Sequence, residues 1–266
     1  MRFTVLIENE SDVAGLHAEH GISLWVETAG TRVLFDTGAS PAFAENAERL
    51  GIDIARADML VLSHAHADHT GGLRTFLERN TTAPVYVGPS IETPRFSVRS
   101  GSRRAIGMDP ALLERYRERV RVVNDVTEAA PGIGLSRVCE RAYPLPAGNA
   151  TLYRDYAGRL EPDPFEEELF MWVASSHGID VFTGCSHSGI ANIVEAASAH
   201  GEVRSVIGGF HLKGEDEQRV REVGSRLASV RMIYTGHCTG RDAYRILRHE
   251  LGSRMHYAST GTRGAA

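Results

Sequence analysis

The sequence has only three cysteines in 266 residues, Cys139, Cys185 and Cys238. Three thiols build no disulfide framework and suit a reducing compartment, so the cytoplasm is the expected location. No run is long and apolar enough to cross a bilayer, and no membrane partner is expected. The first residues, Arg2-Phe3-Thr4-Val5-Leu6-Ile7, read as a strand, not as an apolar leader followed by a cleavage site. There is no linker-like break, low-complexity segment or short-period repeat, so one domain over residues 1–266 is expected. Positive charge is not in excess. With 29 Lys and Arg against 34 Asp and Glu the formal charge is -5, which counts against a nucleic-acid partner. What remains is a composition of 42% hydrophobic and 24% charged residues, in a chain long enough for a large α/β domain.

Against this background one stretch stands out, Ser63-His64-Ala65-His66-Ala67-Asp68-His69-Thr70-Gly71-Gly72. The apolar run Met59-Leu60-Val61-Leu62 before it reads as a buried strand. Leu73, Phe76 and Leu77 after it have helical spacing. Three imidazoles and a carboxylate therefore sit on a tight loop at the end of a strand. His64 and His66, two apart, share one face of an extended chain, whereas Asp68 and His69 follow where it turns. One loop can thus serve two neighbouring cations, with donors suited to zinc, manganese or iron.

Elsewhere in the first half, residues 22–28 and 31–36 read as a hairpin with Ala29-Gly30 as its turn. Asp36, in Phe35-Asp36-Thr37-Gly38, has two readings: a turn former bonding its own backbone, or a carboxylate that orients a metal-bound imidazole. Residues 42–50 and 112–120 read as helices and residues 84–88 as a strand. The stretch Pro89 to Pro110, rich in Ser, Gly and Arg, reads as a long loop. Its arginines, among them Arg95, Arg99, Arg103 and Arg104, are either solvated or form a lid over an anionic substrate. Pro144 to Pro164 reads as turn-rich and irregular.

The second half repeats one pattern. Apolar strands ending at Gly184, Gly209 and Gly236 lead into Cys185-Ser186-His187, Phe210-His211 and His237. With the first loop, four strands deliver histidines past their carboxyl ends, where ligands gather in layered α/β structures.

The motif His64-x-His66-x-Asp68-His69 resembles the signature of the metallo-β-lactamase-fold superfamily, and Asp36 resembles that superfamily's early aspartate. The resemblance implies an αββα four-layer sandwich, two sheets packed face to face between helices, with a metal pair at one edge. Glu19-His20-Gly21-Ile22-Ser23, Gly184-Cys185-Ser186-His187-Ser188-Gly189, Gly208-Gly209-Phe210-His211-Leu212 and His237-Cys238-Thr239-Gly240 are similar to a finer subgroup, the dihydropterin-ribofuranosyl-aminobenzene-phosphate synthases. One departure stands. Many members carry a Gly-His and later a Gly-Asp whose carboxylate bridges the metals, whereas here Cys185 follows Gly184 and no earlier Gly-His exists. Cys185 is then a thiolate ligand or a small buried thiol. Imidazole at His66, where flavodiiron-type relatives carry glutamate, leans towards hydrolytic zinc chemistry.

The resemblance implies two divalent ions, zinc foremost and manganese or iron otherwise. It assigns His64, His66 and His187 to one, and Asp68, His69 and His237 to the other. Such a pair, about 3.5–4 Å apart, makes hydroxide available at neutral pH and polarises a carbonyl or phosphoryl oxygen. Asp68 and His211 are the expected catalytic side chains, His211 as proton donor or substrate contact, with His20 near the same mouth. Three function classes compete. They are a hydrolase of an ester, phosphoester or lactone, a transferase joining a dihydropterin to a phosphorylated aminobenzene derivative, and a non-catalytic metal-binding protein. A small anionic molecule is the expected partner.

Overall fold

The computed structural model describes residues 1–265. In chain order its strands are β1 (Arg2–Ile7), β2 (Ser23–Glu27), β3 (Arg32–Phe35), β4 (Met59–Val61), β5 (Val85–Val87), β6 (Arg95–Arg99), β7 (Ser102–Ala105), β8 (Val120–Val122) and β9 (Thr127–Ala130). They continue as β10 (Ile133–Arg137), β11 (Leu152–Tyr156), β12 (Arg159–Pro162), β13 (Leu169–Ser175), β14 (Gly178–Thr183), β15 (Val203–Gly209), β16 (Met232–Gly236), β17 (Met255–Tyr257) and β18 (Arg263–Ala265). The α-helices are α1 (Ala42–Arg49), α2 (Ala67–Thr70), α3 (Leu73–Arg79), α4 (Pro110–Arg115), α5 (Ile190–Ser198), α6 (Glu217–Arg226) and α7 (Arg241–Leu251). No helix among the described residues is long and apolar enough to cross a membrane.

These elements form two compact units, each assembled from separated stretches. The first takes Met1–Asn124, Ala150–Glu167 and Ser259–Ala265, the second Asp125–Asn149 and Glu168–Ala258.

In the first unit a seven-stranded sheet runs in the order β18-β1-β2-β3-β4-β5-β8. The expected hairpin is present, with Leu24 opposite Phe35 and Val26 opposite Val33. From β3 onward the strands are parallel, so β4 and its neighbours direct their carboxyl ends the same way. Phe43, Ala44 and Ala47 of α1, with Leu73, Phe76 and Leu77 of α3, share one core cluster with Leu6, Leu34 and Leu60 of the strands. That is the apolar stripe of a helix laid on a sheet, each fully buried large side chain contributing about 1.5–3 kcal/mol.

A second sheet of this unit, β12-β11-β6-β7, replaces two stretches read from the sequence as irregular. Residues 89–110 are therefore not a long loop. They hold the β6–β7 hairpin, turning through Ser100 and Gly101, both at positive φ. Residues 144–164 likewise contain the β11–β12 hairpin. In β7, β11 and β12 charged residues interrupt the two-residue period that identifies a strand, and in β6 (Arg95-Phe96-Ser97-Val98-Arg99) the alternation is present but short and set among Ser, Gly and Arg. The helix expected over 112–120 is shorter, since α4 gives way to a 3₁₀ turn at Arg117–Arg119 and then to β8.

The second unit contains the sheet β17-β16-β15-β14-β13-β10-β9. Its strands β14, β15, β16 and β17 are parallel neighbours. Helices α5, α6 and α7 contribute Ile190, Ile193, Val220, Val223, Leu247 and Leu251 to one cluster with Val181, Val206 and Ile233. Because β14, β15 and β16 are adjacent and parallel, the residues that follow them emerge along one edge of this sheet.

Candidate metal centre

In the first unit the histidine loop leaves β4 and enters α2, with His66 as the residue before the helix. The glycines after it are required by close approach. A Cβ on Gly72 would stand 2.3 Å from the carbonyl oxygen of Thr37, and one on Gly71 would stand 2.1 Å from that of Ala39. The Asp36 turn is thereby pressed against the loop, and Thr37 N–H donates to the His69 carbonyl at 2.7 Å. The rings of His64 and His66 lie 4.6 Å apart, those of His64 and His69 4.1 Å. His64 and His69 are wholly buried.

Asp36 organises this cluster. Its Oδ1 accepts the backbone N–H of Ser63 at 2.7 Å, and its Oδ2 accepts the Ser63 hydroxyl at 2.6 Å. The same Oδ2 lies 2.7 Å from Nδ1 of His69. A carboxylate only accepts, so His69 carries its proton on Nδ1. Ser63 has spent its single proton on Asp36, so its contact of 2.9 Å with Nδ1 of His64 requires that nitrogen to donate as well. Both rings therefore present the lone pair of Nε2, the tautomer a divalent ion needs. The Asp36 side chain thus bonds Ser63 and the His69 imidazole. Asp68 Oδ2 lies 3.3 Å from Nε2 of His20 and 3.9 Å from Nε2 of His69, so His20 does approach the loop.

The β6–β7 hairpin is tied to the same loop. Ala67 N–H donates to the Ile106 carbonyl, and Met108 N–H to that of Ala65. Of its arginines, Arg95 is not available to a substrate. It is buried against Asp163 at 3.1 Å and Glu167 at 2.8 Å, and it donates to the carbonyls of Ser90, Ile91 and Thr93. Arg103 lies over the Phe96 ring at 3.5 Å, with Asp155 at 3.6 Å, and Arg104 is exposed.

In the second unit His187 is held from three directions. Its Nδ1 lies 2.9 Å from Asn149 Oδ1, while Asn149 Nδ2 donates to the His187 carbonyl at 2.8 Å. That pairing puts the His187 proton on Nδ1 and again leaves Nε2 as the acceptor. Glu168 receives the backbone N–H groups of His187 and Ser188, each at 2.6 Å. Burial pushes the Glu168 carboxyl above its ordinary range, against the downward pull of those two donors and Arg141. The ring of His211 lies 4.2 Å from that of His187. The backbone N–H of His211 donates to Cys238 Sγ at 3.2 Å. Burial alone would raise the Cys238 thiol, but Cys185, His211 and the charge of His237 outweigh it and hold it well below its ordinary value.

Backbone strain marks the same places. Asp36, Ser186, His211 and His237 have φ of 59°, 60°, 49° and 50°, a left-handed conformation costing about 1–2 kcal/mol in a non-glycine residue. Strain held where ligand-type side chains gather is a sign of a site. Ser63, Asn149 and Glu168 hold the loops that carry these histidines, and the sequence pattern does not point to them. Ser63 adjoins the motif, but nothing local singles out Asn149, which meets His187 from 38 residues away.

Comparison with known proteins agrees with this geometry. Residues 20–160, more than half of the chain, match the family model of the metallo-beta-lactamase superfamily. The chain belongs to that superfamily. It is 31% identical over 262 residues to the 7,8-dihydropterin-6-methyl-4-(beta-D-ribofuranosyl)-aminobenzene-5'-phosphate synthase of Methanocaldococcus jannaschii, covering 90% of this chain and 89% of that protein. Its structure matches that of Tm1679, a metal-dependent hydrolase of the beta-lactamase superfamily, with TM-score 0.87 and 27% identity over 100% of this chain and 99% of the other. Zn(2+)-bound PqqB from Methylobacterium extorquens has the same fold at TM-score 0.61 and 13% identity, over 100% of both chains. The α/β sandwich class expected from the sequence is the fold of the chain.

Proposed function

We propose that the chain is a metal-dependent hydrolase of a small anionic ester or phosphoester. The observation that carries this is the contact of Ser63 with Nδ1 of His64 and of Asp36 with Nδ1 of His69, which leaves Nε2 of each ring as the acceptor a metal ion requires. His64, His66, Asp68 and His69 are the ligands of the first unit, His187 and His237 those of the second, for two divalent ions in all, zinc foremost. Imidazole and carboxylate together suit zinc or manganese better than calcium or magnesium. When bound, such ions acidify water and polarise a carbonyl or phosphoryl oxygen.

The remaining work falls to the chain. Asp68, with Oδ2 beside His20 and His69, holds a proton taken from the attacking water. His211 gives a proton from Nε2 to the departing oxygen. Arg103 and Arg104, on a hairpin bonded to the histidine loop, attract the substrate's negative charge. A hydrolase reading also agrees with the description of Tm1679.

The identity with the Methanocaldococcus jannaschii synthase favours a second reading, a transferase joining a dihydropterin to a phosphorylated ribofuranosyl-aminobenzene, the new bond displacing a diphosphate carried by the dihydropterin. One experiment separates them: the purified protein, its metal content measured, is offered ester, phosphodiester and pterin substrates. Turnover of an ester or phosphoester in water supports the hydrolase. Turnover only when both pterin and aminobenzene partners are present replaces it with the synthase.

A further inference from the structure

A cleft of about 530 Å³ opens in the first unit at the end of the sheet where β3 begins, whereas the histidine loop follows the carboxyl end of β4. That volume falls in the range of small-molecule sites, roughly 300–1,000 Å³. Strand pairing sets Arg2 opposite Glu27 and Glu27 opposite Arg32, with Thr4 opposite both Trp25 and Arg263. The strand period of two turns all these side chains to one face, the face on which α1 packs. Helix α1 ends at Arg49, so the last row of that face is left without it, and Leu50, Ile52 and Arg56 line the cleft there. Trp25 and Thr4, 3% and 8% exposed, close its floor.

Four arginines line this cleft against two carboxylates, Glu27 and Asp53, in a chain whose formal charge is -5. Arg32 is committed, its Nε and Nη2 each 3.1 Å from an Asp58 oxygen. The other three have donors to spare. Arg2 meets Glu27 only at 3.8 Å, and Arg263 spends one N–H on the Leu50 carbonyl at 3.3 Å. Arg56 is exposed and has no hydrogen bond or ion pair among the described residues. Like charges gathered around a concave wall repel one another, and the low-dielectric floor strengthens the field they share. An anion relieves that repulsion.

We infer that this cleft is a second small-molecule site, which takes a phosphorylated compound with a flat ring, of the size and chemistry of a nucleoside diphosphate. The phosphates meet the guanidinium groups of Arg2, Arg56 and Arg263, whose forked N–H donors match phosphate oxygens in pairs. The ring lies against the apolar surface of Trp25, Leu50 and Ile52. Binding breaks no covalent bond and uses no ion held by the histidine loop, so the site stands apart from the function proposed above. Added salt weakens it, because the arginines are exposed at the rim.

The sequence holds two tryptophans, Trp25 and Trp172, so Trp172→Phe leaves Trp25 as the only indole reporter. The whole protein with that change is titrated with adenosine 5'-diphosphate, excited on the red edge of the indole band where adenine does not absorb. A saturable change at sub-millimolar ligand is expected. Adding Arg56→Ala/Arg263→Ala should raise its Kd about 10-fold or more, two charge-assisted contacts being lost. Adding His64→Ala/His69→Ala instead should leave the Kd within about twofold, as for separated sites. Should Trp172→Phe fail to fold, calorimetric titration of the His64→Ala/His69→Ala protein, with and without the arginine changes, makes the same comparison. No saturable binding, a Kd indifferent to the arginines, or equal affinity for adenosine overturns the inference. So does binding that is lost with His64 and His69, since the phosphates would then sit on the histidine-loop ions. Loss of metal or turnover in that histidine variant bears only on the function proposed above.

Discussion

Asp36 Oδ2 stands 2.7 Å from Nδ1 of His69, with both side chains fully buried. The carboxylate decides which nitrogen of the imidazole carries the proton, and so whether His69 can bind a metal. Asp36→Asn tests this with little change of shape, because asparagine tolerates the left-handed backbone found at φ 59°. An amide nitrogen in place of Oδ2 repels the Nδ1 proton and drives it to Nε2. Metal affinity is expected to fall about 10–100-fold while the circular dichroism spectrum stays the same. Competition against a chromophoric chelator measures it, and an affinity within twofold of the parent contradicts the role given to Asp36.

His187 and His211 answer differently to alanine. His187 is fixed by Asn149 and Glu168, and its replacement should lower the manganese content of the protein as well as its activity. His211→Ala should keep its manganese and lose mainly kcat, by about 10²–10⁴-fold for a general acid. Metal analysis of both variants decides the matter. A depleted His211 variant beside a fully loaded His187 variant reverses the assignment.

Much of this centre is legible in the sequence, because it is built from local patterns. The apolar run at Met59, the glycine pair at Gly71 and the histidines that follow Gly184, Gly209 and Gly236 all declare strand ends without knowledge of the fold. What the sequence conceals is pairing at a distance. Ser63 gains its meaning from Asp36, 27 residues earlier, and Glu168 from a loop 19 residues later. The Arg95 side chain shows the converse, an arginine in a polar stretch that proves to be a buried brace between Asp163 and Glu167. Its burial follows from the β6–β11 pairing, which local periodicity does not express.

The hairpin arginines should act on binding more than on chemistry. Arg104→Ala is the cleaner change, because Arg103 also stacks on Phe96, a contact worth about 0.5–1 kcal/mol at an exposed site. With Arg103→Ala/Arg104→Ala together, KM for a phosphorylated substrate should rise by more than kcat falls, as when uniform binding is lost. Unchanged kinetics would return both to plain solvated surface.

Glu168 gives the stability a pH dependence whose sign is fixed. Burial raises its folded-state pKa above the value in the unfolded chain, so the folded state holds the proton more tightly. Its contribution is therefore fully present below the ordinary carboxylate range and is lost as pH rises through the raised value. Urea unfolding of the metal-free protein across that range should show stability falling as pH rises. Glu168→Gln, which has no such proton, should flatten that part of the curve. An identical slope in both proteins contradicts the assignment.

Manganese reports whether this chain holds two ions on nitrogen and oxygen ligands, because thiolate donors discriminate against that ion. The protein is saturated with manganese, freed of excess, and analysed for metal per chain. Two ions per chain is the result predicted by His64, His66, Asp68, His69, His187 and His237 acting as ligands. One ion or none would contradict it.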